Sequence, residues 1–437
     1  MNKLIKKIAL MVPPIKKYHQ YVNDLRRENE ELNNLSKQQS IQLELSDQTS
    51  VGRLTDLNIK NYQLEQLSNL FEDNVELSWS EINERKKYIC IFPFSRVSIS
   101  SNGSVWTCCP NYFKYDYFLG NVYENSYDEI WNSDKVKRLR YSVSNGSFEY
   151  CNKKFCSLLQ KPAAFPDSMI KREWENVSSI PKHDKWQDYY LETGPLFINL
   201  ACDNTCNLHC SSCRNHVVVM SKEQNKRLVE MLETFVRPAL KNCLTLKAST
   251  SGEFFAQKSL QEFYQTIKKE DYPELKLNFL TNAQLLTPEK WNKFDNLKGM
   301  INSIHVSIDA ATKDTYENIR RGGKWETLLT NLSFISSLRV SNEIKNLNIS
   351  FNVQKDNFTE MENFVLMASQ YNVDTVLFRR LYNPGGTYTA ESLIDNDVFN
   401  KNNNNYENAV HILNKIKKNS CIKISDNCLF PNQYDDI

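Results

Sequence analysis

The stretch Cys202–Arg214, which reads CDNTCNLHCSSCR, decides the fold. It follows an apolar run at 195–201, PLFINLA, that predicts a buried strand. Cys206, Cys210 and Cys213 are spaced C-x3-C-x2-C, and three thiolates at this spacing can bind three irons of a cubane iron–sulfur cluster. The fourth iron would then be open to a small-molecule ligand. The alternative is a closed zinc site with Cys202 as fourth ligand, although Cys202 is better explained as the packed last residue of the strand.

Length, charge and cysteine usage narrow the class of protein. The chain has 437 residues, enough for more than one domain. Its 54 Lys and Arg balance 52 Asp and Glu, so the overall charge gives no indication of a nucleic-acid partner. The N-terminus lacks the apolar core and cleavage site of an export signal, and no stretch has the length of a transmembrane span. We therefore expect a cytoplasmic protein whose 12 cysteines serve as metal or cluster ligands rather than disulfides.

The N-terminal region predicts an arm and a linker. Residues 1–48 are expected to be helical, and 18–39 follow a heptad pattern with polar residues at its a positions, which is typical of a short dimeric coiled coil. A lone solvated helix is the alternative, because only about three heptads are present. Residues 49–84 are polar and predict a linker.

Residues 85–165 predict a small cysteine-rich module. Arg96–Ser100 and Ser104–Cys108 flank an Asn-Gly pair, which predicts a tight hairpin, and a helix is expected from Ser126 to Leu139. Cys109 adjoins Cys108 on the strand and would point to the opposite face, so we expect it to be a spare thiol. The four candidate ligands of an iron–sulfur cluster or of zinc are Cys90, Cys108, Cys151 and Cys156.

After a connection at 166–192, residues 193–437 alternate strand and helix signals. Repeated βα units predict a parallel sheet with right-handed crossovers, so the fold class is α/β, either a barrel or an open sheet. The tail is rich in Lys and Asn, including Asn402–Asn405, and we expect it to be a surface loop. We expect Cys243, Cys421 and Cys428 to be small buried residues. The predicted strands are 195–201, 243–248, 275–280, 301–308, 346–353 and 374–379. The predicted helices lie near 221–238, 256–269, 287–295, 312–338 and 357–371.

The cysteine loop after the first strand resembles the signature of radical S-adenosylmethionine (radical SAM) enzymes. Further segments resemble motifs of that family and follow the later strands in the expected order. They are Ser251-Gly252-Glu253-Phe254, Leu280–Ala283, Val306–Ala310 with Tyr316–Gly323, and Asn352-Val353. Ser212, Phe254 and Ala283 replace residues that are usual in the family. The resemblance implies a partial (β/α)6 barrel, similar to a TIM barrel, with its chemistry at the carboxyl ends of the strands.

The resemblance also implies roles for individual residues. Cys206, Cys210 and Cys213 would hold a [4Fe–4S] cluster whose open iron is chelated by S-adenosylmethionine. Glu253 would accept a hydrogen bond from the methionine ammonium, and Arg320 would neutralise the carboxylate. Asp309 could either contact the ligand or cap the following helix. The residues expected to bind the cofactor are Gly252, Glu253, Asn282, Ser307, Arg320 and Asn352.

The N-terminal module resembles the opening of a SPASM auxiliary-cluster domain. The resemblance rests on the spacing from Cys90 through Gly103 to Cys108, followed by Cys151 and Cys156. SPASM domains normally follow the barrel, whereas this module precedes it. Four ligands imply a single auxiliary [4Fe–4S] cluster, and zinc is the alternative there.

The implied activity is reductive cleavage of S-adenosylmethionine and abstraction of hydrogen from a substrate, with an oxidoreductase or epimerase outcome. Flavodoxin or ferredoxin would be the electron donor. Val12–Tyr18, which leads into the arm, is similar to segments of surface-glycan biosynthesis proteins and favours a sugar or glycan precursor as substrate. A ribosomal-peptide-modifying enzyme and a non-catalytic zinc or iron–sulfur scaffold are the alternatives.

Overall fold

The computed structural model describes residues 90–114, 117–152, 156, 159, 183–248, 251–381 and 387–428. Chain contacts divide the protein into the units Met1–Asp73 and Asn74–Ile437, and every described residue lies in the second. The predicted arm at 1–48 and linker at 49–84 therefore lie outside the described residues. None of the described helices is long and apolar enough to cross a membrane.

One ten-stranded sheet organises the described residues, in the order β10-β9-β8-β7-β6-β5-β4-β1-β2-β3. The strands are β1 Arg96–Ser100, β2 Ser104–Trp106, β3 Gly120–Asn121, β4 Phe197–Ala201, β5 Thr245–Ala248, β6 Lys276–Thr281, β7 Ile301–Ser307, β8 Asn346–Val353, β9 Thr375–Arg380 and β10 Lys423–Cys428. The principal helices are α1 Phe92–Ser95, α2 Tyr127–Trp131, α3 Asp134–Ser144, α4 Lys222–Met231, α5 Lys258–Gln265, α6 Pro288–Trp291, α7 Lys313–Ile319, α8 Trp325–Val340, α9 Met361–Gln370, α10 Ala390–Asn396 and α11 Tyr406–Asn419.

The expected α/β class, with successive parallel strands from β4 to β9, is confirmed. Two long helix predictions were wrong in extent. The stretch 312–338 forms α7 and α8, because Gly322, with φ +87°, interrupts it. The helix predicted from Ser126 is also two helices, and Ser126 caps the first of them through a capping box with Glu129.

The tail prediction was right for Asn402–Asn405, which form a turn at the surface, but wrong for the rest of the tail. In place of a surface loop, it contains α10, α11 and a further strand, β10, which pairs in parallel with β9. The six residues of β10 have weak periodicity and give a poor strand signal, and the strand pairs with β9 alone among the described strands. Cys421 is exposed rather than buried, whereas Cys243 is buried as expected. The side chain of Cys428 lies outside the described set.

The N-terminal module shares its sheet with the barrel. Strand β1 pairs in parallel with β4 over five residues, from Arg96 opposite Phe197 to Ser100 opposite Ala201. Asn199 reinforces this junction by donating a hydrogen bond from its side chain to Ser98 Oγ at 2.8 Å. The hairpin that follows β1 turns as predicted, with Gly103 at φ +85°. The module therefore forms one wall of the barrel.

The two faces of the sheet differ in character, as alternation along a strand requires. One face is apolar and packs against helices, as where the rings of Phe351 on β8 and Phe364 on α9 lie 4.8 Å apart. The opposite face, which we call the lumen face, is largely polar. Its members in register are Asn199, Lys247, Asn278 and Ser303 across β4 to β7, with His305, Asn348, Ser350, Asn352 and Arg379 further along the strands.

Candidate active site

The cysteine loop begins at the carboxyl end of β4 and is held by main-chain hydrogen bonds on both sides. The Cys206 amide donates to the Val218 carbonyl at 3.0 Å. On the other side, the His209 amide donates to the Arg321 carbonyl at 3.1 Å, and a similar bond links Ser211 to Ile319. Gly322, in the left-handed region, turns the chain next to His209. The positions of the three cysteines are thus fixed by the segment after α7 as well as by β4.

Each of the three cysteine sulfurs lies close to a side-chain donor. Asn282 Nδ2 lies 3.9 Å from Cys206 Sγ, and Arg320 Nη1 lies 3.7 Å from Cys210 Sγ. The third sulfur, on Cys213, accepts from Arg214 Nε at 3.4 Å. Hydrogen bonds to the ligating sulfurs are one of the levers by which proteins tune iron–sulfur clusters.

Burial opposes ionisation of the Cys206 and Cys210 thiols, and the neighbouring cations favour it. Burial raises the pKa of Cys206 to about 11, although Arg214 acts in the opposite direction. The pKa of Cys210 is also raised by burial, against the influence of Arg320. Arg214 additionally donates to the Asn204 carbonyl at 2.6 Å and to the Ser251 carbonyl at 2.8 Å. It therefore ties the cysteine loop to the segment after β5.

Gly252 and Glu253 lie against the start of the cysteine loop. A Cβ atom on Gly252 would lie only 2.5 Å from the Thr205 carbonyl oxygen, so this position requires glycine. The Glu253 carboxylate is fully buried and accepts hydrogen bonds from the Thr281 hydroxyl at 2.7 Å and the Asn282 amide at 2.6 Å. Burial raises the pKa of Glu253. This carboxylate therefore joins the ends of β5 and β6.

Asp309 and Arg320 form a buried ion pair of 2.7 Å. The Asp309 carboxylate also accepts from the Asn352 amide at 2.7 Å, and Asp309 itself has φ +66°. The alternative in which Asp309 caps the following helix was wrong, because Thr312 occupies that position. Ser307 lies on the lumen face, with its hydroxyl 3.5 Å from that of Ser350. Arg320 Nε has no hydrogen-bond partner among the described residues.

The four predicted cysteines of the N-terminal module line a single apolar cavity. Cys90, Cys108, Cys151 and Cys156 share its wall with aromatic and aliphatic side chains from α1 and α3, while Cys109 is exposed and does not line it. Burial raises the pKa of Cys90 to about 12, and the proximity of Cys156 adds to this effect. Within the described ranges, no three Cys, His, Asp or Glu side chains are grouped closely enough to hold a single metal ion.

Sequence reasoning missed several site residues. Arg214 directly follows the last signature cysteine, and its basic side chain was the available signal. Lys247 lies within an otherwise apolar strand, where an unexplained charge is itself an indication of function. His305 and Arg379 share a sheet face with Lys247 because of the strand register, which a single sequence does not reveal.

Comparison with known families decides the class of protein. Residues 203–367 match the family model of the radical SAM superfamily, and residues 90–157 match SPASM, an iron-sulfur cluster-binding domain. The chain contains a radical SAM domain. This radical SAM enzyme carries a SPASM domain ahead of its barrel, and its cofactors are S-adenosylmethionine, a [4Fe–4S] cluster and an auxiliary iron–sulfur cluster.

Solved structures of the superfamily resemble this chain only distantly. SuiB of Streptococcus suis bound to precursor peptide SuiA is 12% identical, with a TM-score of 0.38, over 67% of this chain and 66% of that chain. Native anSMEcpe with bound AdoMet is 16% identical, with a TM-score of 0.34, over 51% and 61%. Methylornithine synthase (PylB) is 12% identical, with a TM-score of 0.30, over 50% and 61%. The match thus spans less than two thirds of each of these proteins. No curated protein matches significantly.

Proposed function

We propose that this radical SAM enzyme uses Cys206, Cys210 and Cys213 as the ligands of its catalytic cluster and acts on a substrate in the lumen. The observation that carries the proposal is that all three sulfurs lie at the carboxyl end of β4, each beside a side-chain donor. When bound, the cluster and S-adenosylmethionine supply a 5′-deoxyadenosyl radical that can remove a hydrogen atom from a substrate carbon. The protein has to position the cofactor and substrate and exclude competing hydrogen donors.

The residues around the cysteine loop fit S-adenosylmethionine. Three thiols give a cluster one fewer protein ligand than it has irons, which leaves a place for the cofactor. The buried Nε–H of Arg320, next to Cys210, has no partner in the described part of the chain and can donate to a carboxylate. Close packing at Gly252 holds the segment after β5 against the start of the cysteine loop. We assign cofactor contacts to Gly252, Glu253, Asn282, Ser307, Arg320 and Asn352.

For the SPASM domain, we propose one auxiliary [4Fe–4S] cluster on Cys90, Cys108, Cys151 and Cys156. Four thiols around one cavity suit a group larger than a single ion, and the apolar wall excludes water from it. Zinc, with sulfurs about 2.3 Å from the ion, would need the four thiols drawn closer together. Because all four ligands come from the protein, the role of this cluster would be electron transfer or structure rather than substrate binding.

We propose that the substrate is rich in hydroxyl groups, as a sugar or a surface-glycan precursor is. The polar side chains of the lumen face favour this proposal. Amide and hydroxyl side chains such as Asn278, Ser303 and Asn348 recur across it and can hydrogen-bond to sugar hydroxyls. The net reaction would be an oxidation or an epimerisation. A cytoplasmic setting, flavodoxin or ferredoxin as electron donor, and a dimer formed through residues 18–39 complete the proposal. A peptide substrate is the competing hypothesis.

Anaerobic reconstitution with iron and sulfide, followed by dithionite and S-adenosylmethionine, tests the catalytic assignment. We expect wild-type protein to form 5′-deoxyadenosine and Cys206→Ala to lose about 10³-fold of that activity, because one cluster ligand is missing. Cys421→Ala, which changes an exposed cysteine, is the matched control and should behave as wild type. Equal product formation by Cys206→Ala and wild type would contradict the assignment. Deuterium transfer from labelled sugars or peptides into 5′-deoxyadenosine then separates the two substrate classes.

A further inference from the structure

The lumen face carries several cationic side chains and, in the described strands β1 to β9, no acidic one. Among the described strand residues that share this face from β1 to β9, the charged or titratable members are Arg96, Lys247, Lys276, His305 and Arg379, and none is Asp or Glu. Polar faces of protein sheets normally mix both signs, because unbalanced charge is costly where water is scarce. The excess of positive charge is therefore a feature that a ligand could explain.

Three of these side chains lie on alternate strands of the lumen face. Lys247 lies on β5, His305 on β7 and Arg379 on β9, and each is partly buried. Burial lowers the pKa of Lys247 to about 8, with Arg379 acting in the same direction. Burial, followed by the charges of Arg379 and Lys247, holds the pKa of His305 well below its usual value. Because β5, β7 and β9 are alternate strands of one sheet, the register brings the three side chains to the same face.

None of the three has a partner among the described residues. His305 Nε2 and Arg379 Nε are shielded from solvent and form no hydrogen bond, and no ion pair or hydrogen bond involves the Lys247 ammonium. The acidic residue closest to this region along β7, Asp309, is already paired with Arg320. A shielded N–H without an acceptor costs stability, so its retention is expected where a ligand supplies the acceptor.

Building on the proposed function, we propose that Lys247, His305 and Arg379 form an anion site for a substrate that carries a phosphate or diphosphate group. Lys247 and Arg379 together present two positive charges, which a phosphate dianion balances and a single carboxylate does not. The planar guanidinium of Arg379 suits the fork geometry of phosphate oxygens, and Lys247 adds a point charge. His305 would contribute a further hydrogen bond. A phosphorylated or nucleotide-linked sugar has this chemistry.

Isothermal titration of the reconstituted full-length protein with inorganic pyrophosphate tests the site. We expect Lys247→Met and Arg379→Met each to weaken pyrophosphate binding about tenfold or more, since each removes one charged contact. Lys276→Met is the matched control, because Lys276 lies on the neighbouring strand but is exposed, and its affinity should stay within about twofold of wild type. Thermal scans of each variant verify that it is folded.

Parallel titrations identify the source of the phosphate. Tighter binding of glucose 1-phosphate than of UDP indicates a sugar phosphate, the reverse indicates a nucleotide-linked substrate, and both support the site. Equal pyrophosphate affinity in wild type, Lys247→Met and Arg379→Met would overturn the proposal. So would tighter binding of a glutamate-rich peptide than of pyrophosphate with the same dependence on the two residues. Pyrophosphate binding is measured without turnover of S-adenosylmethionine, and the Cys206→Ala assay tests the catalytic assignment separately. Failure of the anion site is therefore distinguishable from failure of the proposed catalytic function.

Discussion

The SPASM domain and the barrel lumen both bury cysteines and cationic side chains, but they differ in whether these groups have partners within the protein. In the SPASM domain four thiols close around one cavity, and the fully buried Arg140 has all of its nitrogens hydrogen-bonded, mainly to carbonyl oxygens. In the barrel, three thiols leave a ligand position open, and Lys247 and Arg379 have no described partner. The buried cation of the SPASM domain is thus satisfied internally, as in a scaffold, whereas the two cations of the lumen are available to a ligand.

The largest expected effect comes from breaking the closed cysteine set. Cys108→Ala combined with Cys151→Ala should remove the auxiliary cluster and lower the iron content from about eight to about four per chain, as expected for loss of one [4Fe–4S] cluster of two. Substrate-free formation of 5′-deoxyadenosine should persist within about threefold, because the catalytic cluster has its own ligands. Iron analysis and EPR spectroscopy of the reduced protein measure both. Loss of both clusters in a variant that remains folded would mean that the two centres are not independent.

Arg140 distinguishes a satisfied buried cation from an open one. Its guanidinium donates to the Pro93, Tyr189 and Trp131 carbonyls and to the Asn132 side chain at 2.9–3.0 Å. Arg140→Met leaves these buried acceptors without a donor, so we expect a loss of about 3–5 kcal/mol in the free energy of unfolding. Arg138→Met, on the same helix, is the control, with a change of about 0.5 kcal/mol expected at a surface position. Denaturant unfolding of the apo protein measures the free energy of unfolding of both variants. Equal losses in the two variants would show that the buried hydrogen bonds of Arg140 do not stabilise the domain.

Replacing Arg214 tests how the protein supports the cluster proposed on Cys206, Cys210 and Cys213. Arg214→Met removes a charged donor to Cys213 Sγ and two hydrogen bonds to main-chain carbonyls, at an expected cost of about 2–3 kcal/mol. Loss of a cation beside the sulfur should also lower the reduction potential of the catalytic cluster, because the reduced state carries more negative charge. Redox titration followed by EPR measures the potential. Arg237→Met, which breaks a surface pair with Glu233, should leave the potential unchanged.

Replacing Lys247 should stabilise the protein, whereas replacing Arg140 should destabilise it. Its pKa falls from 10.5 to about 8 on folding, so the unfolded chain binds more protons between these values. Stability should therefore rise as pH increases from about 8 to about 10.5, while the full penalty is present below pH 8. Lys247→Met should raise the free energy of unfolding at pH 7 by on the order of 2 kcal/mol and flatten this part of the pH profile. A destabilised variant with an unchanged pH profile would show that Lys247 is not a strained, unpaired cation.

The sequence was sufficient for the parts of the fold and site that depend on local patterns. The strands from β4 to β9 and the cysteine spacing can be recognised from short stretches of residues. The fold class follows from the alternation of strand and helix signals. Long-range pairing was not predictable: nothing local shows that β1 joins β4, or that β10 extends the sheet. The anion site shares this limit, because Lys247, His305 and Arg379 come from three strands and meet only through register. Expected cofactor contacts such as Glu253 stay predictions, although its burial and its bonds to Thr281 and Asn282 are now described.

The smallest expected effect comes from replacing a glycine next to the cysteine loop. Comparing Gly322→Ala with Gly299→Ala separates the cost of backbone strain from any effect on the geometry of the loop. Gly322 and Gly299 both have positive φ angles, +87° and +77°, and a Cβ atom at either would meet no backbone closer than 3.4 Å. Alanine at either position should therefore cost about 1 kcal/mol from left-handed strain. Only Gly322 adjoins the main-chain bond between His209 and Arg321, so only Gly322→Ala should also reduce occupancy of the catalytic cluster at limiting iron. Equal cluster occupancy in the two variants, at equal loss of stability, would show that the segment after α7 does not set the geometry of the cysteine loop.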